Sequence, residues 1–205
     1  MTHNLAISAE TSLSAEVAYF RAQIFPNVYL AGQFDEIENV IDASSLHITM
    51  RFWSEVVGYA RITDGRFHVF TYFTDGQAPL PTTSDTWSLG RGGIAKEWRN
   101  AELLTLVVIE SIVQCRMRGA KHIVGAVPPT EKALATIRRS LMLPIGPVVR
   151  SGHHNQRVPH QPVIHTSAGF CDKDVLECQK MASDRSALLM AQRAEKQADC
   201  SGNNG

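Results

Sequence analysis

The chain has 205 residues, 44% hydrophobic and 20% charged, with 20 basic residues balancing 20 acidic ones. These proportions exclude a wholly disordered chain, a collagen-like repeat and a coiled-coil rod, and the length suits one compact domain with an appendage. Balanced charge leaves no whole-molecule field toward nucleic acid or membrane, so an acidic partner would need a local patch.

In chain order, Val17, Phe20 and Ile24 recur at helical spacing after Ser14, and Pro26 closes this first helix. Residues 46–63 read as two strands around a turn at 53–55, a hairpin. Residues 64–85 mix aromatic strand formers with Pro, Gly and Thr, which predicts a short strand and a long loop of the kind that lines sites. A strand at 87–94 leads into the strongest helix, 100–118, apolar on nearly every turn and therefore buried on most sides. Gly119 ends it, 122–127 reads as a strand, and Thr130 caps a helix carrying Leu134, Ile137 and Leu141. Two further strands follow in VVRSG and QPVIHTS, and 172–199 predicts a polar helix fraying into CSGNNG. The expected fold class is α/β (α+β mixed), a central mixed sheet of about six to seven strands flanked by helices, with a right-handed parallel crossover. The expected division is a domain at 1–170 and a C-terminal helical appendage with a disordered end at 171–205.

The longest nearly apolar run, 103–109, is far shorter than the roughly 20 residues of a membrane-spanning helix. Residues 1–20 lack the basic start and apolar middle of a secretory signal, so a cytoplasmic protein is expected. Cys115, Cys171, Cys178 and Cys200 form no CxxC pair, consistent with reduced thiols. His153, His154, His160, His165, Cys171 and Cys178 are the conspicuous metal-capable residues, but none has the spacing of a structural zinc site, and no metal is expected. No GxSxG elbow, P-loop or paired-carboxylate motif is present. Between 111 and 157 eight bases face the single acid Glu131, whereas residues 1–100 hold 11 acids and 7 bases. No nucleic-acid recognition motif accompanies the basic stretch.

The segment IAKEWRNAELL joins a strand to a helix N-terminus, whose free amides and dipole suit phosphate, and Arg99 stands beside it. With Trp98 and Arg99 at this junction, the chain resembles the GNAT acyltransferase superfamily, in which an aromatic, an Arg and a glycine-spaced turn follow the central strand. Glu102 and Leu104 stand where acetyl-CoA enzymes of that superfamily carry small residues, a departure that obstructs a wrapped pyrophosphate and asks less of a single phosphopantetheine phosphate. The resemblance sharpens toward acyl-homoserine lactone synthases and long-chain N-acyl amino acid synthases. Arg21 and Phe25 in RAQIF, Asp42 before the hairpin, Arg61 closing it and Arg91 in WSLGRGGI follow that branch's order over 15–145. Ser88 replaces the Glu that lactone synthases place three residues before the central Arg, and Tyr29 or Phe34 stands in for a Trp after the first helix. Both departures favour an amino acid over S-adenosylmethionine as acceptor.

The resemblance implies direct attack of an amine on a thioester, with acyl-phosphopantetheine on acyl carrier protein or coenzyme A as co-substrate, a small-molecule amine as acceptor and no permanently bound cofactor. It implies that Arg21, Asp42, Arg61 and Arg91 organise the acceptor end as the catalytic set, a carboxylate-bearing acceptor pairing with an Arg through two hydrogen bonds. Main-chain groups of Gly92, Gly93 and Ile94 would meet the thioester and arm, Phe25, Tyr29, Phe34 and Trp87 would line the substrates, and Arg99, Asn100 and Val127 would hold the donor. Read without the resemblance, Arg61 and Arg91 are structural ion-pair partners of Asp35, Glu36, Glu38 or Asp42. The general base stays open between a water on Asp42 and a backbone carbonyl. An acidic carrier protein would dock on Arg116, Arg118, Lys121, Arg138, Arg139 and Arg150 near the mouth of the arm tunnel. The competing expectations are a lactone synthase using S-adenosylmethionine and a non-catalytic binding module of the same fold.

Overall fold

The computed structural model describes residues 5–26, 36–65, 81, 83–99, 101–151 and 158–202. Strand β1 (Leu5–Glu10) is followed by helices α1 (Ala15–Ile24) and α2 (Glu36–Ala43), then the hairpin β2 (Ser45–Phe52) and β3 (Glu55–Thr63), then β4 (Thr86–Ile94). Helix α3 (Ala101–Met117) crosses to β5 (His122–Val127). Helix α4 (Glu131–Arg139), the short strands β6 (Leu143–Pro144) and β7 (Val149–Ser151), β8 (Val158–Thr166) and helix α5 (Asp172–Gly202) complete the described fold. The sheet runs β1-β2-β3-β4-β5-β8-β6, with β7 also pairing β8. All its pairings are antiparallel except β4 with β5, the pair joined through α3.

The predicted hairpin, the 100–118 helix, the strand at 122–127 and the Thr130-capped helix are all present; Thr130 Oγ1 accepts from Ala133 N at 3.3 Å. Strand β1, the two-residue strand β6 and helix α2 were not anticipated, and with β1 and β6 the described sheet has eight strands.

The two sheet faces carry different chemistry. A Cβ on Gly58 would meet Val107 of α3 at 3.2 Å, whereas one on Gly93 would meet Ile24 of α1 at 2.9 Å. The first face is dry and apolar, with Leu103, Val107, Ile109 and Ile112 of α3 packed against Ile48, Met50, Ala60 and Ile62. The second face carries Tyr59 and Arg61 under α1 and α2. Alternation along β3 thus separates core from polar network residue by residue.

The apolar outer side of α3 is covered by α5. Arg116 with Asp172 at 2.6 Å, Gln179 with Glu110 at 2.7 Å and Arg185 with Glu102 at 3.8 Å show that the two helices run antiparallel. Val175, Ala182 and Met190 of α5 belong to the main core cluster. In β8, His165 donates from Nδ1 to Leu141 O at 2.9 Å, so its Nε2 accepts from Arg116 at 3.2 Å. Burial, with Arg116 adding to it, pushes the His165 pKa down and favours this neutral ring.

Gly65, just past β3, faces the start of β4: a Cβ there would collide with the Thr86 carbonyl oxygen, a backbone atom. Gly65→Ala is expected to destabilise the fold by about 1–3 kcal/mol in urea unfolding, because main chain rather than a side chain must move. Unchanged stability would show that the two segments do not approach this closely.

Candidate functional site

Strand β4 carries one residue more than its partner. Tyr59 pairs with Gly93 while Arg61 pairs with Gly90, so β4 advances three residues where β3 advances two. The extra residue is taken up at Arg91, whose φ is 54°. For a residue with a side chain this left-handed conformation costs about 1–2 kcal/mol, and such bulges bend a strand and raise its twist.

Beside the bulge, β4 and β5 part. Their parallel pairing covers Thr86 with His122, Trp87 with Ile123 and Ser88 with Val124. Beyond Ser88 lie two apolar cavities of about 400 and 170 Å³. They share Gly92, Leu104, Pro128, Ala133 and Thr136, so they are two ends of one cleft. Main-chain alternation orients its wall. Ala95 N donates to Val57 O at 2.9 Å, so Gly93 also turns its peptide groups toward β3, and those of Gly92 and Ile94 turn toward the cleft. Arg99 Nε, which lines the larger cavity, donates to Ile94 O at 3.4 Å. Lys132 adds a second cation to the lining.

On the opposite face, buried charges converge. Arg21 Nη1 reaches the Asp42 carboxylate at 2.6 and 2.7 Å, Arg61 Nη1 lies 2.8 Å from Asp42 Oδ1 and 2.5 Å from Glu38 Oε2, and Arg91 Nη2 donates to Glu38 Oε1. Glu38 is fully buried and Arg61 2% exposed. Burial disfavours the Glu38 carboxylate, but Arg61 and Arg91 outweigh it and hold its pKa at about 2. Below this cluster His47 Nε2 donates to Asp42 O at 3.1 Å, which leaves Nδ1 to accept from the Tyr59 hydroxyl at 2.8 Å. Burial pushes the His47 pKa down, and the Arg21 guanidinium stands 6.0 Å over the Tyr59 ring.

Arg21, Asp42, Arg61 and Arg91, expected to act together, therefore form one ion-pair network, and the pairing of Arg61 and Arg91 with Glu38 and Asp42 is the structural role weighed for them. Phe25, Gly92, Gly93, Ile94 and Arg99 line the larger cavity and Val127 the smaller. The open backbone at Gly93 admits α1, since a Cβ would lie 3.2 Å from Phe25 Cζ, while a Cβ on Gly92 would meet nothing within 4 Å. Trp87 sits lower, where β4 and β5 are still paired, and lines neither cavity. Tyr29, Phe34, Asp35, Asn100, the loop at 66–80, Arg157, His153 and His154 lie outside the described residues, as does the Glu36 side chain.

The proposed carrier-protein patch divides. Arg116, Arg118 and Lys121 lie at the far end of α3, a helix of 17 residues spanning about 25 Å, and not at the mouth. They are engaged there with Asp172, Gln114 and Asp85. Arg138 and Arg139 stay on α4, the helix that borders the cleft, with Arg139 3.7 Å from Glu102. Arg150 is on β7. Glu38, one of four candidate ion-pair partners in the sequence, is the anchor of the network, and the contributors missed in the sequence are Tyr59, His47 and the α4 wall of Ala133 and Thr136. Glu38 and Asp42, four residues apart on one helical face, were the available signal. Among the described residues no three His, Cys, Asp or Glu side chains could hold a metal ion, and no helix is long and apolar enough to cross a membrane.

No protein-family profile and no curated protein matches the chain. Solved structures do match. BjaI, a CoA-dependent acyl-homoserine lactone synthase solved with MTA, is 13% identical with a TM-score of 0.60 over 89% of each chain. An acyl-CoA N-acyltransferase from Pseudomonas aeruginosa is 14% identical with a TM-score of 0.54, over 79% of this chain and 99% of its own. Escherichia coli ElaA is 14% identical with a TM-score of 0.53, over 78% and 99%. At these identities the shared property is the fold, a GNAT-like mixed α/β sheet flanked by helices.

Glu38 also fixes an acid limit on stability. Folded, it titrates near 2; unfolded, near 4.5, so its contribution is complete above about pH 4.5 and is lost as pH falls toward 2. Glu38→Gln should cost about 3–5 kcal/mol at neutral pH, because it leaves buried guanidinium charge uncompensated, and should flatten the acid limb of urea-unfolding stability. A variant that keeps the wild-type acid slope would contradict this assignment.

Proposed function

We propose that the protein is an N-acyltransferase that moves a fatty acyl group from a phosphopantetheine thioester to the amine of an amino acid. The observation that carries this reading is the opening between β4 and β5. Peptide groups of Gly92 and Ile94 face an apolar cleft of about 400 Å³, with Arg99 and Lys132 in its lining. A pantetheine arm is a chain of amides and methylenes, and it needs this combination of unpaired strand edge and apolar walls. In the reaction the neutral amine attacks the thioester carbonyl, a tetrahedral oxyanion forms, and the C–S bond breaks to release the thiol while the amine nitrogen loses a proton. A peptide N–H aimed into the cleft is set to donate to that oxyanion without reorganisation.

The donor's phosphate would meet Arg99 and Lys132 and the start of α3. Glu102 and Leu104 occupy that turn, and Leu104 lines both cavities, which favours a donor with one phosphate over one that must wrap a pyrophosphate there. An acidic carrier protein would approach along Arg99, Lys132, Arg138 and Arg139 rather than along the whole basic stretch of the sequence. The acceptor would bind on the far side of β4, where Arg21, Arg61 and Arg91 converge with their two carboxylates. Direct transfer between bound substrates requires no metal and no covalent acyl-enzyme.

The test combines thiol release with mass spectrometry of products, using acyl carrier protein, coenzyme A and pantetheine donors, a mixture of amino acids, and S-adenosylmethionine. N-acyl amino acids are expected. Acyl-homoserine lactone with methylthioadenosine would select the synthase reading instead, and no thiol release with any donor would select a binding module. Ala133→Trp, which fills the cleft from α4, should lower kcat/KM at least about 100-fold, the scale on which misplacement of a bound donor acts. Raising salt from about 50 to 300 mM should raise KM for the acyl carrier protein donor several-fold and leave acyl-pantetheine unaffected. Equal salt sensitivity of the two donors would remove the carrier-protein assignment.

A further inference from the structure

We propose that the smaller end of the cleft is an acyl-chain pocket of fixed depth with Met142 at its floor, and that the donor therefore carries a medium chain rather than a long one. This rests on the donor reading above and narrows it.

The lining separates into an opening and an interior. Gly92, Leu104, Pro128, Ala133 and Thr136 border both cavities and form the passage between them. Leu89, Val108, Ile137, Met142 and Val163 border the smaller one alone. Of these, Met142 is fully buried, Val163 is 1% exposed, Val108 4% and Ile137 5%, so this end of the pocket abuts core side chains. The Thr136 hydroxyl and one Arg91 nitrogen in its lining are engaged elsewhere. Thr136 Oγ1 donates to Lys132 O at 3.0 Å, and the Arg91 guanidinium is held by Glu38 on the other face of the sheet. The polar backbone groups stand at the passage, and an interior walled by apolar side chains takes an apolar guest.

Position and volume set the guest. From Gly92, at the passage, back to Leu89, in the interior, β4 runs beside fewer than three residues of β3 because the bulge intervenes, and covers about 7–8 Å. A chain bonded to a carbonyl at the bulge would thus run down the gap toward the point where the strands begin to pair. A methylene occupies about the volume of one water in the liquid, ~30 Å³, so 170 Å³ holds about six carbons beyond the passage. The floor is built deliberately by the backbone. Leu141 adopts φ 59° after α4, and Met142 N donates to Ile137 O at 3.1 Å, which turns the chain back and seats the Met142 side chain in the core. Methionine is the flexible member of this lining and can yield slightly as the chain end arrives.

The experiment uses wild-type protein labelled with ¹³C at the methionine methyls, six in the chain, with the Met142 signal identified in Met142→Leu. Non-hydrolysable acyl-pantetheine ethers of four to sixteen carbons are titrated in. The expected result is that the Met142 methyl shifts with chains of about eight carbons, does not move with four, and that sixteen-carbon chains bind at least about 10-fold more weakly. In thiol-release assays Met142→Ala should move the optimum chain length upward by two or more carbons. Binding of acyl-pantetheine without movement of Met142, or tightest binding for sixteen carbons, would overturn the pocket while leaving the donor reading intact. No binding of any acyl-pantetheine would overturn both. The titration reads the wild-type fold, so instability of Met142→Ala does not blunt it.

Discussion

A single guanidinium couples the two halves of this molecule. Arg91 must reach Glu38 from a strand whose opposite face is committed to α3, and the backbone turns left-handed to let it do so. That turn inserts the extra residue, the extra residue bends β4, and the bend takes Gly92 and Ile94 out of reach of β5. The cleft on one side and the ion-pair network on the other are consequences of one local conformation. The strain is of the size that a buried, charge-assisted pair can sustain.

The network is more a frame than a reservoir of stability. Buried ion pairs recover little net free energy against desolvation, but each member becomes costly to remove once its partners are in place. Arg21, Glu38, Asp42, Arg61 and Arg91 join α1, α2, β3 and β4, so the two helices and the bulge of β4 hold their relative positions. His47 and Tyr59 continue that frame downward with a tautomer fixed by a backbone carbonyl. The proposed reaction between two bound substrates would depend on such fixed geometry, because misplacement by about 1 Å is felt in a rate.

Most of the scaffold could be read from the sequence, since long runs with a clear period, such as the hairpin at 46–63 and the helix at 100–118, leave little ambiguity. Strand β1 and helix α2 escaped because LAISAE and EIENVIDA are short, and what stabilises each is a tertiary neighbour: β2 for the first, buried arginines for the second. The fold brings Arg21, Asp42, Arg61 and Arg91 into one network, and of the four acids that could pair with Arg61 and Arg91 in the sequence only the fold singles out Glu38 and Asp42 among the described residues. Nor could a linear cluster of cations show that α3 carries Arg116 and Arg118 to one end of the fold while α4 keeps Arg138 and Arg139 at the other. The bulge was invisible for a further reason: Gly-Arg-Gly-Gly permits a left-handed residue at several places, and the one that adopts it, Arg91, is the one that pairs with Glu38 across the fold.

The antiparallel docking of α5 along α3 bears on how the chain reaches this state during synthesis. Helix α3 is apolar on nearly all sides, and its inner face can be covered as soon as β2, β3 and β4 have formed. Its outer face waits until β5, α4, β8 and then α5 have left the ribosome. At translation speeds of about 5–20 residues per second that interval is several seconds, during which a long apolar surface stands uncovered. The nascent chain should therefore be a chaperone client over that window, and its solubility in the cell should depend on the last helix more strongly than the chemistry of the cleft does.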